Sequence, residues 1–124
     1  MINPQPLTIV VRIPDVSISR SDLHAALGKQ VDRYEESGGR AYAQIDIGGG
    51  GDQWAATADC VRSIQSAISR LLSDGSIGTP CLDIAMALSN SQLSKSLVVP
   101  AALARTAGEA GIDIELSVYR TDDC

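Results

Sequence analysis

The segment after Gly111 constrains the fold most strongly, because apolar and polar residues alternate in it without interruption. The apolar positions are Ile112, Ile114, Leu116 and Val118, and the polar positions are Asp113, Glu115, Ser117 and Tyr119. A period of two is typical of a β-strand with one apolar face and one hydrated face. We therefore expect an open sheet that buries its apolar face and leaves an acidic face in solvent.

The preceding sequence alternates between strand and helix patterns. Further strands are indicated at 7–13, 42–47 and 81–88, and residues 29–40 have the composition of a long polar loop. A first helix is expected between Ser19, which with Asp22 resembles a capping box, and Gly28. Apolar residues at three-and-four spacing predict a long helix over 52–72, and Pro100 opens a third helix that Gly111 ends.

The order of these elements is β-α-β-α-β-α-β within one domain, residues 1–124. That order suggests an α/β fold, but alternating strands argue against helices on both sheet faces. We therefore expect a two-layer sandwich of α+β character, with a mixed or mainly antiparallel four-stranded sheet and helices on one face. The residues expected beneath the long helix are Leu7, Ile9, Val11, Ile84, Leu116 and Val118.

Composition restricts the partners and the compartment. The formal net charge is −5, and the ten basic residues are scattered, which disfavours binding to nucleic acid. We expect no membrane partner, since the apolar runs are shorter than a membrane span. Cys60, Cys81 and Cys124 lack C-x-x-C spacing, and the first residues carry no targeting pattern, so reduced thiols and a cytoplasmic location are expected.

The acidic side of the strands is the candidate partner-binding surface. Its expected members are four carboxylates and two tyrosines: Asp46, Asp83, Asp113, Glu115, Tyr42 and Tyr119. Arg12 of the first strand should accompany them. Such a surface attracts a cationic protein and speeds its encounter. The alternative is a solvated face kept charged to prevent aggregation through strand edges.

Other motifs give weaker signals for chemistry. The loop Gly48–Gly51 lies between a strand and a helix, as phosphate-binding loops do, but no Lys-Ser/Thr pair follows and Asp52 would repel an anion. His24 has no neighbouring nucleophile, and the chain shows no metal-ligand spacing. Trp54 is interpreted as a core anchor, with an exposed binding residue as the alternative. We therefore expect no catalytic residue, no metal and no cofactor.

Two segments resemble the bacterial domain-of-unknown-function family DUF4279. Residues Leu27–Gly38 are similar to its helix end and following loop, and Pro100–Tyr119 to its C-terminal helix, turn and strand. Val31 and Tyr34 stand near places where the family has Pro and Trp. The resemblance implies a small α/β domain of the kind found among immunity proteins against polymorphic toxins, and it implies no catalytic residues.

The charge pattern, the motifs and the family resemblance together predict a binding module and not an enzyme. The leading hypothesis is an acidic cytosolic immunity protein that neutralises a cognate toxin with a basic surface by covering its active surface. One alternative is a small enzyme or ligand-binding domain with a pocket near Gly48–Gly51. Another is a structural homodimer that pairs edge strands.

Overall fold

The computed structural model describes residues 6, 8–47 and 51–121 of the chain. This part contains five strands and three helices, which is one strand more than expected. The elements are β1 (Thr8–Val16), α1 (Arg20–Leu27), β2 (Arg33–Ser37), β3 (Arg40–Asp46), α2 (Gln53–Ser73), β4 (Cys81–Ser89), α3 (Ala101–Glu109) and β5 (Asp113–Thr121).

The strands form one mixed sheet in the order β2-β3-β1-β4-β5. All neighbours are antiparallel except β4 and β5, which run parallel. Helix α1 connects β1 to β2 past β3, and α2 connects β3 to β4 past β1. These interleaved split β-α-β units have ferredoxin-like connectivity, and α3 with β5 adds a fifth strand to it. The protein is therefore an α+β fold.

The expectation of four strands was wrong, because part of the predicted loop 29–40 is strand β2. Arg33–Ser37 pairs with β3, and Gly38 and Gly39 form the two-residue turn with φ of 61° and 81°. Positive φ at both positions suits the twist of a hairpin, and glycine adopts it without strain. Only Tyr34 of this strand is partly buried, so the usual apolar alternation is missing.

The helix limits follow from local caps, as expected. The Ser19 hydroxyl accepts a hydrogen bond from the Asp22 amide at 3.1 Å, and Gly28 ends α1 with φ of 66°. Asp52 caps α2 by accepting from the amide of Trp54 at 3.0 Å. Such caps satisfy amide groups that have no partner inside the helix.

The core lies between the sheet and the helices, which leaves the opposite sheet face open. Alternate residues of the central strands form one buried cluster with apolar residues of α1, α2 and α3. Its largest fully buried members are Ile9, Ile13, Leu23, Ile64, Ile68, Leu82, Ile84 and Leu103. No helix in the described part of the chain is long and apolar enough to cross a membrane.

The burial expected for the last strand was wrong. Ile9, Val11 and Ile84 are buried as predicted, but Leu116 and Val118 are 55% and 59% exposed. Strand β5 is the sheet edge, and the buried residues of neighbouring α3 are Leu103 and Ala107, so the helix layer ends before it covers the strand. The expectation for Leu7 lies outside the described residues.

Candidate functional site

Strand register places the six predicted site residues on the sheet face away from the helices, which we call the open face. Across β3, β1, β4 and β5, one row of directly opposed residues runs Asp46, Val10, Asp83, Glu115. The adjacent row on this face, two residues along each strand, runs Gln44, Arg12, Cys81, Asp113. Tyr42 and Tyr119 are an even number of positions from these residues along their strands, so their side chains share the face.

Asp83 is the centre of this face, and it is buried rather than solvated. Only 3% of it is exposed. Its Oδ2 accepts hydrogen bonds from Nε and Nη2 of Arg12 at 2.9 and 2.6 Å, and its Oδ1 accepts from the Ser117 hydroxyl at 2.7 Å. Asp83 therefore points outward, as expected, but it is not hydrated, because side chains of both neighbouring strands cover it.

The hydrogen bonds continue from the ion pair toward β3. Arg12 Nη1 donates to the Tyr42 hydroxyl at 3.0 Å, and that hydroxyl donates to Gln44 Oε1 at 3.0 Å. The side-chain amide Nε2 of Gln44 then donates to Asp46 Oδ1 at 2.7 Å. The chain of contacts therefore spans four strands and fixes the side chains of the open face before any partner binds.

The open face carries an excess of negative charge. Its carboxylates are Glu35, Asp46, Asp83, Asp113 and Glu115, and its cations are Arg12, Arg33 and Arg40. Arg12 pairs with Asp83, and Arg33 pairs with Glu35 at 2.7 Å. The hydrogen bond to Asp83 raises the pKa of Arg12, which keeps its charge.

The three remaining carboxylates, Asp46, Asp113 and Glu115, are exposed and form no salt bridge with any residue that the structure describes. They give the face a net negative field.

A concavity of about 440 Å³ lies within this face. Its lining includes Arg12, Asp83, Tyr119 and Gln53. Half of Tyr119 is exposed at its rim. The sequence analysis predicted a pocket near Gly48–Gly51. Ile47 and Gln53, which flank this segment in the sequence, line the concavity, but Gly48–Gly50 lie outside the described residues.

The cysteines differ in their surroundings. Cys60 is buried on α2, whereas Cys81 is half-buried on the open face. Both are free thiols. Burial raises the pKa of both thiols, and the carboxylates of Glu115, Asp83 and Asp113 raise the pKa of Cys81 further. The expectation for Cys124 lies outside the described residues.

Neutralising the carboxylates beside Cys81 should therefore speed its alkylation at neutral pH. In a Cys124→Ser background, Asp113→Asn with Glu115→Gln lowers the pKa of Cys81 and raises its thiolate fraction, so the maleimide rate should rise about two- to fivefold. Mass spectrometry of timed samples measures the rate. Cys60 serves as the internal control, and an unchanged Cys81 rate would show that these carboxylates do not act on the thiol.

The other candidates remain away from this surface. His24 is exposed on α1, and Trp54 is 5% exposed within the core cluster. Among the residues placed by the structure, no three His, Cys, Asp or Glu side chains are arranged to hold a metal ion.

The residues that complete the site were missed from the sequence. Ser117, Gln44, Arg33 and Glu35 are polar residues whose importance depends on which strand lies beside which. Arg33 and Glu35 belong to the strand that composition did not reveal. The period of two predicts which sheet face each side chain occupies, but only the register between strands predicts which residues lie opposite one another.

Comparisons with protein-family models, with curated proteins and with solved structures yield no match for this chain. The resemblance to DUF4279 therefore stays a prediction from the residues alone. The charge and geometry of the open face are therefore the basis for the proposed function.

Proposed function

We propose that this chain is an acidic protein-binding module whose open face covers a basic surface on a partner protein. The observation that carries the proposal is a sheet face, not covered by the helices, with five carboxylates and three arginines. Three of the carboxylates are exposed and form no ion pair among the described residues. Complementary charge speeds association and rejects partners of the same sign.

The partner class that fits best is a toxin that acts on nucleic acid. Such an enzyme needs a basic cleft to hold phosphates, and an acidic protein seated there blocks the substrate. The ordered side chains from Asp83 to Asp46 favour this role, because a fixed surface loses little conformational entropy on binding. Half-exposed Tyr119 supplies an aromatic contact beside the carboxylates. The module is then an immunity protein.

Small-molecule binding is the second candidate, favoured by the concavity of about 440 Å³. Ligand pockets usually occupy 300–1,000 Å³. A small ligand would contact the concavity, whereas a protein partner would also contact Asp113 and Glu115 farther along the face. Substitutions confined to these two carboxylates therefore distinguish the two candidates, whereas Asp46 lines the concavity and would affect both.

Charge reversal on the open face should weaken partner binding without unfolding the chain. The test variant combines Asp46→Lys, Asp113→Lys and Glu115→Lys, and it leaves buried Asp83 intact. We expect at least about a tenfold weaker affinity, mainly through slower association, and a smaller difference at high salt because salt screens exposed charges. The measurement is titration against the product of the neighbouring gene after co-expression, with protection of the host cell as a second readout.

The matched control reverses three exposed carboxylates elsewhere: Glu36→Lys, Asp59→Lys and Glu109→Lys. Glu36 lies on the helix side of the sheet, and the other two lie on α2 and α3. Both variants have the same net charge, so net charge alone would weaken both equally. Equal weakening, or full binding by the open-face variant, would contradict the proposal.

A further inference from the structure

Strand β5 is an exposed edge with an apolar stripe. Among the strands that the structure describes, its only neighbour is β4. Ile114, Leu116 and Val118 point toward the helix side and are 37%, 55% and 59% exposed. The strand is nine residues long and contains neither proline nor lysine, and its charged residues are Asp113, Glu115 and Arg120. This edge is therefore available to another strand.

The backbone hydrogen bonds show which residues face the free edge. The Asp113 amide donates to the Pro80 carbonyl at 3.0 Å, and the Thr121 carbonyl accepts from the Asn90 amide at 3.2 Å. In a strand, the N–H and C=O of one residue point to the same side, and the side alternates along the chain. The odd-numbered residues therefore bond toward β4. The even-numbered residues, Ile114 to Arg120, direct their backbone groups toward the edge.

The sequence of β5 is complementary to itself in one antiparallel register. With Ser117 on a twofold axis, all nine residues of Asp113–Thr121 are paired. Leu116 then lies opposite Val118 of the second copy, and Glu115 lies opposite its Tyr119. No two like charges are directly opposed, whereas a register with Glu115 opposite Glu115 would oppose two carboxylates, which is destabilising.

We propose that β5 pairs antiparallel with β5 of a second copy in this register, which makes the protein a homodimer with one continuous sheet. The even-numbered residues are the ones that form hydrogen-bonded pairs, so the interface gains about eight backbone hydrogen bonds. The apolar stripes of the two copies meet on the helix side. The two open faces lie on the same side of the joined sheet, so this pairing is independent of the proposed partner surface and leaves it uncovered.

Opposite charges placed across the β5–β5 interface test whether a second copy pairs with β5 and whether it does so in the proposed register. Wild type should sediment at twice the chain mass of 13.0 kDa at micromolar concentration. Leu116→Lys with Val118→Lys should be monomeric, as should Leu116→Glu with Val118→Glu, because each places like charges opposite one another. An equimolar mixture should form the dimer again, since Lys then faces Glu. Leu93→Lys, at a fully exposed apolar residue outside β5, is the control and should remain dimeric.

Amide exchange provides a readout that does not depend on any variant. The amides of Ile114, Leu116 and Val118 should be protected in concentrated wild type and should exchange faster on dilution. The amides of Glu115 and Ser117 should stay protected by β4 at both concentrations. A wild type that is monomeric at several hundred micromolar, a dimer that survives both double variants, or a mixture that stays monomeric would each overturn the proposed pairing.

Discussion

Arg12→Met is expected to lower the free energy of unfolding by about 3 kcal/mol, the lower end of the range for breaking a buried ion pair from one side, because the Arg12 side chain is itself 37% exposed. Asp83 is 3% exposed, and Arg12 supplies two of the three side-chain hydrogen bonds that Asp83 accepts from the described residues. Removing the guanidinium leaves a largely buried carboxylate without its cation and with the Ser117 hydroxyl as its remaining side-chain donor among the described residues. Urea unfolding followed by the fluorescence of Trp54, the only tryptophan, measures the change.

The control for this prediction is the double variant Arg12→Met with Asp83→Leu. Removing both charges leaves no unpaired carboxylate, so its stability should return close to that of wild type. If Arg12→Met alone changed stability by less than about 1 kcal/mol, water would have to reach Asp83 and the pair would act as an exposed one. If the double variant were as unstable as the single one, packing of the Arg12 side chain would account for the loss instead.

The helices were predictable from the sequence because their limits depend on neighbouring residues. Ser19, Gly28 and Asp52 act within three or four positions of themselves, through a hydroxyl, a left-handed backbone and a carboxylate. The apolar spacing of α2 likewise defines its buried side without knowledge of the rest of the fold. Local chemistry of this kind is visible in a single sequence.

The two outer strands were not predictable to the same extent. Strand β2 is almost entirely exposed, so no alternation marks it, and the best signal was the Gly38-Gly39 pair, which is typical of a two-residue hairpin turn. For β5, alternation predicted the strand and its faces correctly. It could not predict burial, because burial of Leu116 and Val118 depends on whether a distant helix extends over the sheet edge.

The candidate site shows the same division between local and long-range information. Alternation placed the predicted carboxylates and tyrosines on one face, since each strand keeps its own period of two. The partner of Asp83 depends on the register between β1 and β4. Arg12 is 71 positions away in sequence, so nothing local marks it as the cation that makes this carboxylate a buried, structural one.

Trp54→Ala is expected to lower the free energy of unfolding by about 3–5 kcal/mol, the range for removing a large buried aromatic side chain. Trp54 is 5% exposed and belongs to the core cluster between α2 and the sheet. The chain has no phenylalanine, so the aliphatic side chains around the cavity would have to fill it by rearranging. Urea unfolding followed by circular dichroism measures the loss, since the variant has no tryptophan fluorescence.

Trp54→Phe is the matched comparison, because it keeps most of the ring volume and removes only part of the indole. The indole Nε1 has no hydrogen-bond acceptor among the residues that the structure describes. A buried donor without a partner is unfavourable, so its removal should offset part of the lost packing, and we expect a decrease of about 1 kcal/mol. A loss of about 2 kcal/mol would instead indicate that the N–H is hydrogen-bonded in solution. A negligible loss in both variants would mean that Trp54 is not a core anchor.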